Sequence, residues 1–162
     1  MIRIRPATLN DLPHAMQAYD YARRLMRLQG NTTQWTNGYP SEQYIRSEIA
    51  AGHSFACVDG HDEFLGTFCF IIGEDSTYTH IYEGAWLNDK PYGVVHRLAT
   101  NGKQPGIGRA CLEWCIGRCE SLRIDTHQDN LTMQHLLEKA GFKRCGIIYV
   151  ADGTPRIAYQ NR

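Results

Sequence analysis

Residues 101–111 read NGKQPGIGRAC, a glycine-rich turn that runs directly into an apolar segment of helical spacing. Glycine at Gly106 and Gly108 lets a backbone approach a ligand with no side chain in the way. A helix starting there presents N–H groups that lack acceptors of their own, and its aligned peptide dipoles favour an anion. The chemistry on offer is therefore phosphate binding by main-chain donors. Alone the pattern is unspecific, because a short Gly-x-Gly turn is more often only a turn. The dinucleotide fingerprint is incomplete here, and GxxxxGK[ST] is absent.

A second set of chemically able residues is the six cysteines, Cys57, Cys69, Cys111, Cys115, Cys119 and Cys145. Cys111, Cys115 and Cys119 recur every four residues and so stripe one face of a helix. Thiolates cluster at zinc and iron–sulfur centres, but no second ligand set has zinc spacing, so packing against a sheet is the better reading and no metal is expected. In a reducing compartment the six are expected as thiols, not disulfides.

The elements that must carry these residues can be read from periodicity. IRIRPA alternates Ile2 and Ile4 against Arg3 and Arg5, a half-buried strand ended by Pro6. Thr8 with Asp11, or Asn10 ahead of Pro13, can cap a helix over 13–29, in which Met16, Tyr19, Ala22, Leu25, Met26 and Leu28 fall near one face. A turn-rich loop with Trp35 and Tyr39 follows, then a short helix capped by Ser41 and stopped at Gly52. SFACVD and FLGTFCFIIG, joined by GHDE, form an antiparallel hairpin. After an irregular stretch with Tyr78, Tyr82, Trp86 and Tyr92, the strand GVVHRLAT feeds the glycine turn. Alternation along that strand places His96 on the same face as Leu98. A helix over 107–119, a strand SLRIDT, a helix over 131–140 ended by Gly141, and strands KRCGIIYV and PRIAYQ about the turn ADGT complete the chain. The order β-α-α-β-β-β-α-β-α-β-β implies an α/β (α+β) domain over 1–162.

The 162 residues suit a compact domain with a real core, and 43% hydrophobic content is ordinary for a globular chain. Seventeen basic residues balance seventeen acidic ones. Nucleic-acid binding, which draws on a basic excess, is therefore not expected. The first residues lack the apolar run of a signal peptide, and no stretch could span a bilayer, so a cytoplasmic location and no membrane contact are expected.

The order of motifs supplies what the glycine turn alone does not. IRPATLNDLP at the front, HRLATNGKQPGIGRACLEW in the middle and LRIDTHQDNLTMQHLLEKAGF after it resemble the GCN5-related N-acetyltransferase (GNAT) family over nearly the full chain. The family signature Gln/Arg-x-x-Gly-x-Gly/Ala maps onto 103–108, and Asn130, eleven residues before Gly141-Phe142, matches a second landmark. The resemblance implies the GNAT fold, a mixed and mostly antiparallel sheet flanked by helices, with acetyl-CoA as co-substrate in a gap between the fourth and fifth strands. It further implies pantetheine contacts from the backbone of Leu98, Ala99 and Thr100, and a pyrophosphate cradle from Lys103 and the N–H groups of Gly106, Ile107, Gly108 and Arg109. Asn130 and Met133 would add contacts from the following helix, although Asn130 also suits a helix N-cap. Lys103 replaces the signature's Gln or Arg and lacks a planar fork, and Pro105 removes one donor.

Transfer to an amine needs a base, an oxyanion donor and a route for the proton to the leaving thiolate. By the resemblance the Leu98 N–H is the oxyanion donor. His96 and Glu83 are the candidate bases, His96 for its ordinary pKa and Glu83 for an aromatic setting in IYEGAW; His127 is a third. Many family members carry a Tyr seven residues after the landmark Asn, where this chain has Leu137. Solvent, Tyr149 or Cys145 remain as proton sources. Trp35, Tyr39, Tyr78, Tyr82 and Trp86 lie where the family walls its acceptor site, favouring a small, partly apolar amine; as core or rim residues they would be equally ordinary. The alternative is a non-catalytic acyl-CoA-binding or regulatory module on the same fold, and a homodimer is left open.

Overall fold

The computed structural model describes all residues, 1–162. Eleven helices and strands follow in the order expected. They are β1 (Arg3–Pro6), α1 (Leu12–Leu28), α2 (Glu42–Ala50), β2 (Ser54–Val58), β3 (Phe64–Ile72), β4 (Gly93–Thr100), α3 (Ile107–Ile116), β5 (Leu122–Thr126), α4 (Leu131–Lys139), β6 (Lys143–Tyr149) and β7 (Pro155–Gln160). The fold is mixed α/β, and the pairings β1–β2, β2–β3, β5–β7 and β6–β7 are antiparallel while β4–β5 is parallel.

The chain forms two compact units, residues 1–70 with 96–114 and residues 71–95 with 115–162. In the first, hydrogen-bonded strand order is β1-β2-β3-β4, and α1 and α2 bury their apolar sides. Leu12, Ala15, Ala18, Tyr19 and Ile45 meet Ala56, Val58, Phe64 and Ala99 there. Arg5 donates from both terminal nitrogens to Asp11, at 2.8 and 3.0 Å, and Asp11 also accepts the Thr8 N–H at 2.7 Å, so β1 is tied to the start of α1. Ser41 caps α2 by accepting the Tyr44 N–H at 3.1 Å. Trp114 of α3 sits among Phe55, Phe68 and Phe70, with ring centroids 5.1 to 5.8 Å away.

In the second unit the order is β4-β5-β7-β6, the first residues of β4 pairing with β5 at Gly93–Leu122 and Val94–Arg123. Tyr78, Tyr92, Val94, Ile148 and Ala158 form its core. Arg123 lies between the rings of Trp86 and Tyr92, its Cζ 4.1 Å from each centroid. Each ring face carries negative π density, which offsets part of the cost of holding that charge away from water.

Three sequence expectations are corrected. Leu28 is 82% exposed and not on the buried face of α1. At 100° per residue it lies on the opposite side of the helix from Tyr19, which is buried. The third helix stops at Ile116, ahead of Gly117, so Cys119 lies beyond it and the cysteine stripe on α3 is Cys111 and Cys115, both buried. Alternation along β4 does not hold, because Arg97 has φ of 53° and breaks the period between His96 and Leu98.

Candidate active site

The glycine turn is held by hydrogen bonds of its own. Asn101 is its anchor: its main-chain N–H donates to Leu65 O at 3.0 Å, its Nδ2 donates to Phe64 O at 2.7 Å, and its Oδ1 accepts the Lys103 N–H at 3.0 Å. Gly102 lies in the left-handed region at φ 76°, directly under Tyr21 of α1. A Cβ there would stand 2.8 Å from Tyr21 Cε1 and closer still to its Cζ and Oη. Gly106 is left-handed too, at φ 82°, and its carbonyl accepts the Ala110 N–H at 3.1 Å, which starts α3. The N–H groups of Ile107, Gly108 and Arg109 therefore precede the first intrahelical bond, as a main-chain anion cradle requires.

The same region is packed closely from behind. A Cβ at Gly66 would lie 3.0 Å from Ala99 O and 3.0 Å from Ile107 Cγ2, so β3 allows β4 and the start of α3 to come near only because that residue has no side chain. Lys103 is exposed, and Arg109 turns aside to Glu113, its Nε donating at 2.8 Å. Neither cation is locked onto the turn, so the main-chain donors are its fixed feature.

On β4, His96 is half-buried, Leu98 and Ala99 are buried, and Thr100 is half-buried. Arg97, which sequence reasoning passed over, is the unusual residue. Its side chain is 7% exposed, and its guanidinium donates to Tyr39 Oη at 3.0 Å and Glu48 Oε2 at 3.1 Å and lies 4.8 Å from the Tyr44 ring centroid. Burial works against its charge, yet the Tyr39, Cys69 and Tyr44 groups around it outweigh that and hold its pKa above the ordinary value. The Cys69 thiol donates to the same Glu48 oxygen at 3.1 Å, and burial pushes it up to about 12. A non-glycine residue in the left-handed region costs roughly 1–2 kcal/mol, a strain that persists only where surrounding contacts impose it. No one-dimensional pattern marks Arg97; a basic residue inside an apolar strand, with acidic and tyrosyl residues left unexplained in the 39–48 segment, is the signal that was available.

In the second unit, Asn130 caps α4 by accepting the Met133 N–H at 3.1 Å, so its capping role is real and the Met133 N–H is already engaged. Leu137 is fully buried, with Tyr absent from that position. His127 accepts the Asp129 N–H at Nδ1, 3.0 Å, which places its own proton on Nε2; burial and then Arg156 push its pKa down. Glu83 is exposed on an irregular segment at φ 57°. Cys145 is buried and Tyr149 is 47% exposed.

Of the aromatic residues expected near an acceptor, Trp35 packs edge-on to Tyr19 at 5.6 Å against the first core. Tyr78 is 1% exposed, accepting the Trp86 Nε1–H at its carbonyl and donating its hydroxyl to Asp125 at 2.7 Å. Both it and Trp86 belong to the second core. Tyr39, 37% exposed, and Tyr82, 51% exposed and edge-on to Tyr149, keep free surface.

No family sequence model and no curated protein matches the chain. Solved structures do. A GNAT-family acetyltransferase from Streptococcus agalactiae aligns with a TM-score of 0.89 at 32% identity, over 99% of this chain and 94% of that one. GNAT-family acetyltransferases from Listeria monocytogenes (TM-score 0.70, 17% identity, 98% of this chain and 93% of that one) and Bacillus cereus (0.63, 16%, 100% and 97%) share the fold. Identity at that level over nearly the whole length of the streptococcal protein is decisive: the chain belongs to the GNAT family of acetyltransferases.

Proposed function

We propose that this protein transfers the acetyl group of acetyl-CoA to the primary amine of a small molecule by direct attack on the thioester. The observation that carries the reading is the turn over 101–108. Asn101 and Tyr21 brace it, and three consecutive N–H groups open its helix. Gly106, Ile107, Gly108 and Arg109 hold the pyrophosphate through the main chain, with Lys103 adding charge. The backbone of Leu98, Ala99 and Thr100 runs beside the pantetheine arm.

In the chemical step the amine nitrogen attacks the thioester carbonyl, and the Leu98 N–H takes the oxyanion that forms. The C–S bond then breaks and the thiolate leaves. His96 receives the amine proton, with Glu83 as the second candidate, and water protonates the thiolate, since Leu137 offers no proton. In the second unit, Asn130 and Met133 add cofactor contacts from the start of α4. Tyr39, Trp35, Tyr82 and Trp86 remain the proposed acceptor contacts, of which Tyr39 and Tyr82 offer the most open surface. The working protein is cytoplasmic and needs neither metal nor nucleic acid.

Gly106→Glu tests the cradle. Isothermal titration with acetyl-CoA should show binding lost, with the circular dichroism spectrum unchanged; undiminished affinity would remove the phosphate reading. The buried Leu137 supports a second reading, an acyl-CoA-binding module without turnover. Free CoA release across a panel of primary amines separates the two. Tight acetyl-CoA binding with no release for any amine would favour the module.

A further inference from the structure

Arg97 has a side chain buried like a core residue and a backbone that no core position demands. Its side chain is 7% exposed, although the residue as a whole is half-buried. Its main chain is left-handed and leads straight into the Leu98 N–H. The guanidinium is gripped from three sides by one stretch of chain: Tyr39 Oη, the Tyr44 ring and Glu48 Oε2. The clamp is itself fixed. Tyr39 and Tyr44 meet edge to face at 5.8 Å, Arg23 donates to Tyr39 O at 2.9 Å, and Cys69 of β3 donates to Glu48.

We propose that Arg97 is a positioning residue, its clamped guanidinium holding the left-handed turn of β4 that aims the Leu98 N–H at the thioester oxygen. The inference rests on the transfer reaction proposed above. A strand residue with an ordinary side chain relaxes to negative φ, which rotates the following peptide plane and swings its N–H away. The clamp removes that option. It also links the segment over 39–48, which bears Tyr39 of the proposed acceptor wall, to the donor that activates the thioester, so both are set by one side chain. Three grips on one guanidinium explain the residue type: a planar fork can engage Tyr39 and Glu48 at once while stacking on Tyr44, whereas an ammonium has no such plane.

Arg97→Met, Arg97→Lys and Tyr39→Phe test this in the full chain. With phenethylamine as the amine probe, Arg97→Met should lower kcat about 100-fold, the loss expected of a misplaced donor. KM for acetyl-CoA should stay within about twofold, because the cradle is untouched. Arg97→Lys and Tyr39→Phe should each lose about tenfold. A purely structural role would move stability without this split. The second readout needs no turnover. On exchanging CoA for acetyl-CoA, the wild-type Leu98 amide resonance should shift, and in Arg97→Met that shift should vanish while Gly106 and Gly108 amides respond as before. A Leu98 shift in Arg97→Met equal to wild type overturns the proposal. If Arg97→Met does not fold, Tyr39→Phe decides by the same two readouts. If Gly106 and Gly108 do not respond in wild type, the cofactor reading itself fails; if they respond but Leu98 does not, only the donor assignment and this inference fall.

Discussion

Replacing Gly102 with Ala should cost more than replacing Gly106 with Ala, and the difference should depend on Tyr21. Both glycines are left-handed, at φ 76° and 82°, so both substitutions carry the backbone penalty, about 1–2 kcal/mol. Only Gly102 has a neighbour. A Cβ at Gly106 meets nothing within 4 Å, whereas one at Gly102 stands 2.8 Å from Tyr21 Cε1 and closer to the rest of the phenol. Pushing the half-buried Tyr21 phenol off its rotamer adds about 0.5–1.5 kcal/mol. Gly102→Ala should therefore lose about 1.5–3.5 kcal/mol against about 1–2 for Gly106→Ala. For a chain of this size each kcal/mol lowers the midpoint by about 2–4 °C. The assay is thermal and urea unfolding of both variants, each made also with Tyr21→Ala. In that background the excess at Gly102 should disappear, a coupling of about 0.5–1.5 kcal/mol in the double-mutant cycle. Equal losses at the two glycines, or an excess that survives removal of Tyr21, would mean that Tyr21 does not brace the turn.

Two further expectations follow from single contacts. Burial raises the Asp11 carboxyl but the Arg5 hydrogen bonds and the Thr8 N–H outweigh it, so its folded pKa lies below the ordinary value. That difference stabilises the fold above the unfolded value of about 3.9 and is lost as pH falls through the folded one, so Asp11→Asn should flatten the acid limb of the stability–pH curve below about pH 4. Asn130→Ala should cost about 1 kcal/mol of stability, and Asn130→Asp should restore it, both read by denaturant midpoint. If Asn130→Asp also restores acetyl-CoA affinity, Asn130 contributes to binding through its cap alone.

The fold was legible because its signals are local. The first strand about Ile4, the cap at Ser41, the hairpin over 54–72 and the stop at Gly141 each arise from a few neighbouring residues, and the structure has all of them, although β1 begins only at Arg3, after Ile2. The glycine turn was legible for the same reason: its left-handed Gly106 and the helix it opens lie within five residues of each other. Arg97 was not legible. Its conformation is set by Tyr39, Tyr44 and Glu48, some fifty residues earlier in the chain, and strand periodicity offered a plausible but mistaken regular path through His96 and Leu98. Trp35 and Trp86 are ambiguous for another reason. Their large apolar rings suit a binding wall or a core equally well, and the structure packs one side of each against Tyr19 and Tyr78.

These two sources of order divide the labour of the site. The turn is held by the main-chain and side-chain hydrogen bonds of Asn101 and by the fit of Tyr21 on Gly102, features that concern the proposed phosphate seat. The bend in β4 is held by a charged clamp whose hydrogen bonds run to Tyr39 and Glu48 instead. Substitutions in the turn should therefore change acetyl-CoA affinity with little effect on the bound-state rate, whereas substitutions in the clamp should do the reverse. Arg97 hydrogen-bonds to Tyr39 and Glu48 and stacks on Tyr44, with no bond to Tyr21, so combining Arg97→Lys with Tyr21→Ala should give losses that add in free energy. Strong coupling between them would show that turn and bend act as one body, and the separation of binding from turnover argued for this site would then fail.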